Sequence, residues 1–97
     1  MTYTLHRGAE RDLADAVGFY RREAGLAVAL RFLDEFERVA KLLVDNPGLG
    51  TSTGELRRWF PLHGFPYSVI YRPIDGGVRI LVVRHQNRDP GQGEQRR

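Results

Sequence analysis

The chain has 97 residues, 41% hydrophobic and 28% charged, enough for one small core and too few for two. It contains no cysteine, which excludes disulfides and thiolate chemistry, and its three histidines (His6, His63, His85) have no ligand-like spacing, so neither a metal nor a cofactor is expected. No apolar run approaches the roughly 20 residues of a membrane span and the N-terminus lacks an apolar leader, so a soluble cytoplasmic protein is expected, with no membrane partner.

The net charge of +3 is unevenly spread. Residues 1–56 carry seven Lys+Arg against nine Asp+Glu, or −2, whereas residues 57–97 carry eight against three, or +5. Lys41 is the single lysine, so every basic group after it is an arginine, whose planar fork pairs bidentately with carboxylate or phosphate.

In chain order, Tyr3 to His6 reads as a short strand. From Ala9 the apolar positions Ala9, Leu13, Ala16, Val17 and Tyr20 fall on one helical face, with acidic residues early and Arg21 and Arg22 late; Gly25 ends this helix. A second helix is expected over Leu26 to Val44, its stripe formed by Leu26, Leu30, Leu33, Phe36, Ala40 and Leu43, with Asp45-Asn46-Pro47-Gly48 as the stop. A Gly/Ser/Thr-rich loop (Gly48 to Gly54) leads to a strand over Leu56 to Phe60, a turn from Pro61 to Pro66, and a strand over Tyr67 to Arg72. Asp75-Gly76-Gly77 turns into a final strand, Val78 to Arg84, whose β-branched residues on both faces predict a central position.

The expected fold is therefore α+β: a two-helix hairpin packed on one face of a small, mainly antiparallel sheet, in the order β-α-α-β-β-β. Residues 1–91 form a single domain in this reading, and 92–97 a loose tail. Trp59 is expected beneath the helices, and Arg57 and Arg58, being adjacent, on opposite faces of their strand.

The segments RDLADAVGFY, ALRFLDEFERVAKLLVDNPGLG, LRRWFPLHGFPYSVIY and VRILVVRHQNRDPG, taken in order, resemble the RelE/ParE superfamily of toxins from bacterial type II toxin–antitoxin modules, from Tyr3 to Gly91. The resemblance implies a small toxin that either cleaves messenger RNA on the ribosome or poisons DNA gyrase, and that a cognate antitoxin holds inactive. Metal-free RNA cleavage needs cations to stabilise the phosphate and an acid–base pair, for which Arg58, His85 and Arg88 are the candidates. His85 also has a structural reading, as a hydrogen-bonding residue ending a strand.

Three departures point away from the nuclease branch: Ser68 stands where ribonuclease members carry an arginine, Lys41 has no lysine companion, and Gln92, Gly93 and Glu94 stand where some members place a tyrosine. The turn Phe65-Pro66-Tyr67 is closer to the ParE branch. The expectation is a ParE-like gyrase inhibitor, with a RelE-like endoribonuclease and a degenerate, non-toxic binding partner as alternatives. Candidate target- or antitoxin-binding residues are Arg57, Arg58, Tyr71, Arg72, Arg84 and Arg88. An antitoxin would lay an acidic segment across these arginines and apolar side chains between the first helix and the sheet.

Overall fold

A computed structural model describes residues 2–87 and 93–97. Strand β1 (Thr2–Leu5) leads into α1 (Arg7–Ala24) and α2 (Leu26–Asp45), followed by β2 (Thr51–Gly54), β3 (Arg57–Pro61), β4 (Tyr67–Ile74) and β5 (Gly77–His85). His6 caps α1: its Nδ1 accepts from the Gly8 N–H at 2.9 Å, satisfying one of the donors that a helix start leaves unpaired. Gly25, at φ +95°, separates the helices in a conformation that L-residues disfavour, so the chain reverses without a longer loop. Asn46 closes α2 with its backbone N–H and its side-chain amide, both on the Leu42 carbonyl.

The sheet order is β1-β5-β4-β3-β2, with β1 parallel to β5 and every other pairing antiparallel. The expected architecture holds, with one added strand. Thr51–Gly54, read from sequence as loop, pairs with β3 as an exposed edge. Its turn partner Leu56, expected at the head of the next strand, instead occupies the hairpin tip with Glu55, both at positive φ.

The helices cover one face. Phe32, Phe36, Val39, Leu43 and Val69 are almost wholly buried there, each contributing about 1.5–3 kcal/mol relative to exposure. The buried stripe of α2 passes through Ala29 and Phe32, one residue aside from the expected one, and leaves Leu26 and Leu30 about half exposed. Tyr67, Val69 and Tyr71 of β4 point into this core, so Ser68, Ile70 and Arg72 point away from it. Between Ile70 and Tyr71 the β4–β5 register shifts, leaving Leu81 as the extra residue of a bulge. A second, smaller cluster, Ile70, Leu81 and Val82, is buried on the far face.

Candidate functional site

The face without helices is organised by strand register. Residues directly opposite in antiparallel strands share a face, so three cross-strand rows can be read off. The first joins Arg57, Arg72 and Arg79, given that Arg58 pairs with Tyr71 and Arg72 with Arg79. Next comes Trp59, Ile70 and Val82, and then Pro61, Ser68 and Arg84. Four guanidinium groups thus frame an apolar centre on one side of the sheet. Arg57, Trp59, Ile70 and Arg84 share a recess of about 500 Å³ with Glu94. A second recess, of about 440 Å³, brings Arg57 and Arg72 together with Arg96 and Arg97.

Trp59 is the clearest correction to the sequence reading. Expected beneath the helices, it lies on the open face and is 37% exposed, because it is two residues from Arg57 and opposite Ile70. Its indole, bordered by arginines, is the kind of flat amphipathic surface that anchors protein contacts.

The other candidates divide between the two faces. Of the candidates, Arg57, Arg72 and Arg84 lie on the open face, and Arg79 joins them. Arg58 faces the helix side, where its Nη1 donates to the Gly50 carbonyl at 2.6 Å. Tyr71 is fully buried, and its hydroxyl is used twice, donating to the Pro47 carbonyl at 2.8 Å and accepting from the Gly50 N–H at 2.9 Å. It pins the loop before β2 and presents no surface to a partner. Burial pushes the Tyr71 phenol above its ordinary value of 10.0, the Gly50 N–H and nearby Arg58 partly opposing this. Gly50 is dictated by the same contact: a Cβ there would stand 2.7 Å from the Tyr71 oxygen and 2.8 Å from the Trp59 carbonyl.

His85 also lies on the helix side. Its ring meets Tyr67 edge-on at 5.0 Å and its Nδ1 accepts from the Asn87 N–H at 3.1 Å. It borders a groove of about 520 Å³ between α1 and the end of β5, with Asp12, Phe19 and Tyr67. Arg88 lies outside the described residues. The two remaining members of the nuclease trio are not brought together. Arg58 pairs with Tyr71 on β4 and His85 with Tyr67, which puts their backbones about 16 Å apart at ~4.8 Å between strands and ~3.3 Å per residue along them. Among the described residues, no group of three His, Asp or Glu is placed to hold a metal ion, and no helix is long and apolar enough to cross a membrane.

Two residues outside the sequence reading shape the sheet edge. β1 ends at Leu5, so among the described residues β5 beyond Ile80 has no neighbouring strand on that side. The Asp12 carboxylate accepts from the Val83 N–H at 3.1 Å, and Arg96 donates to the Leu81 carbonyl at 3.1 Å. Arg96 and Asp12 are themselves paired at 2.6 Å. A side-chain pair from α1 and the C-terminal residues therefore stands in for the missing strand.

A helical hairpin backing a five-stranded sheet, with an arginine-framed apolar face opposite, defines the class: a small two-layer α+β protein. Residues 3–90 match the family described as the ParE toxin of the type II toxin–antitoxin system parDE, and the chain belongs to that family, within the RelE/ParE superfamily. A solved structure of the chromosomal ParDE toxin–antitoxin system from P. aeruginosa contains a chain 26% identical to this one; the similarity covers 88% of this chain and 95% of that one, with a TM-score of 0.74. No match is found among curated proteins.

Proposed function

We propose that this toxin acts in the cytoplasm by binding DNA gyrase and blocking its turnover, and that a cognate antitoxin neutralises it by occupying the open face with an acidic, extended segment. The observation that carries this reading is that the cluster of four arginines lies on the face of the sheet opposite His85. Arg57, Arg72, Arg79 and Arg84 line one face around Trp59, while His85 lies on the other side of the sheet. Such a platform suits binding: guanidinium forks take carboxylates and the apolar centre excludes water. Ribonuclease chemistry asks instead for a cation and a proton carrier at the same phosphate. The groove between α1 and β5, bordered by the half-exposed Phe19, would take the antitoxin's apolar side chains.

The test is to express the chain without an antitoxin and compare gyrase-dependent DNA breakage with transcript cleavage maps. DNA breakage with intact transcripts is expected, and Arg57→Ala/Arg84→Ala should lose it while remaining folded. Cleaved transcripts with unbroken DNA would replace this reading with the ribonuclease one; a folded protein with no growth effect would leave a binding partner only.

A further inference from the structure

Val82 is fully buried although it lies on the face opposite α1 and α2. The C-terminal residues supply its cover. Gly93, at φ +75°, sits so close that a Cβ there would stand 2.3 Å from Val82 Cγ2. From that point the segment runs across the arginines. Arg57 donates from Nη1 to the Gly93 carbonyl at 3.3 Å and from Nη2 to the Arg96 carbonyl. Arg79 donates from Nε to a main-chain oxygen of Arg97 at 3.0 Å. Glu94 borders the recess that also touches Arg57, Trp59 and Arg84.

The segment is also fastened at the sheet edge by an ion pair. The Arg96 guanidinium reaches past the sheet edge to Asp12, at 2.6 Å, and to the Leu81 carbonyl, at 3.1 Å. It passes over Gly8, where a Cβ would crowd its Cζ and Nε, so a side chain at this position would displace the guanidinium.

We infer that residues 93–97 form a strap that competes with the partner for the open face, and that release of Arg96 from Asp12 opens it. This rests on the reading of the open face as the binding surface and adds how access to it is controlled. The bonds that the strap makes to Arg57 use neutral peptide carbonyls, whereas a partner's carboxylates would form charge-assisted bonds to the same donors, which are stronger. Exchange therefore favours an acidic segment over the strap. Until it occurs, the apparent affinity is reduced by the fraction of molecules in the open state.

Trp59, the single tryptophan, borders the strap and reports on it directly. Two full-length variants loosen the fastening by different routes: Arg96→Ala removes the ion pair, and Gly8→Ala blocks the path of the guanidinium while improving helix propensity. Acrylamide quenching of Trp59 should rise about twofold in both, with unchanged helical circular dichroism. Affinity for a labelled hexaglutamate peptide should rise about five- to tenfold, as expected when a mostly closed state becomes mostly open. For Arg96→Ala this gain would come despite the loss of a positive charge, so simple electrostatics predicts the opposite sign.

Unchanged quenching in both variants would overturn the strap. Raised quenching with unchanged peptide affinity would overturn the competition but leave the binding face standing. The face itself has its own control: if Arg57→Ala/Arg84→Ala binds hexaglutamate as the wild type does, the surface reading fails whatever the strap does.

Discussion

Tyr71→Phe separates a structural role from a binding role at a residue that the sequence offers for both. The ring is fully buried and phenylalanine preserves it, so the perturbation is the loss of one hydroxyl and two hydrogen bonds. Gly50 is buried, and its N–H loses its acceptor; a buried donor left unpaired costs about 1–3 kcal/mol. The Pro47 carbonyl is half-buried, so water can replace the lost donor and its share is below about 1 kcal/mol. Arg58 still holds the Gly50 carbonyl and limits collapse of the loop. The total is about 1–4 kcal/mol, which at roughly 4–8 °C per kcal/mol for a domain of this size lowers Tm by at least about 4 °C. Urea unfolding at constant m measures it, and hexaglutamate binding under native conditions should be unchanged because Tyr71 lies on the helix side. A stability loss under about 0.5 kcal/mol, or a loss of peptide binding in a fully folded variant, would refute the reasoning.

Two further outcomes follow from local chemistry. His6 caps α1 only when its Nδ1 is unprotonated, and its pKa is lowered from 6.5 first by burial and then by Arg79, Arg96 and Arg7, with Asp12 weakly opposing. The unfolded chain therefore binds the proton more readily, so stability should fall as pH drops below about 6.5, and His6→Asn, which caps without titrating, should flatten that slope in urea titrations. Leu56 is 85% exposed at φ +66°, so Leu56→Gly should relieve left-handed strain with no packing lost and raise stability by about 1 kcal/mol after allowing for glycine's greater unfolded freedom; a lower denaturation midpoint would show that Leu56 makes contacts worth more than its strain.

Much of this architecture is legible in the sequence because it depends on local period. The stripe from Ala9 to Tyr20 and the stop at Asp45-Asn46-Pro47 need only 3.6-residue spacing and capping chemistry. What escapes is governed by register. Arg79 and Arg84 are five residues apart, and simple alternation would place them on opposite faces; the extra residue Leu81 returns both to the same one. The face of Trp59 escapes for a related reason. In Arg57–Phe60 both alternations read equally well, one pairing Arg57 with Trp59 and the other Arg58 with Phe60, and only the pairing with Ile70 decides. Thr51–Gly54 has the composition of a loop and becomes a strand because β3 offers it an edge.

The C-terminal segment poses a different difficulty, and it bears on how the site is controlled. Valines on both faces of β5 correctly predict a central strand, yet β1 is too short to flank all of it, so the backbone of Leu81 and Val83 needs other partners. Asp12 and Arg96 meet that need from positions 84 residues apart, which no periodicity can reveal. The same pair ties the strap to the edge of the sheet. Asp12→Asn should therefore do two things at once: weaken the closure of the β5 edge, since a neutral amide accepts less strongly from the Val83 N–H, and free Arg96. Amide exchange at Val83 and quenching of Trp59 should rise together in this variant, whereas Arg96→Ala should move Trp59 more than Val83. If Val83 exchange rose while Trp59 stayed as quenched as in the wild type, edge closure and strap would be independent features, and control of the open face would have to lie elsewhere.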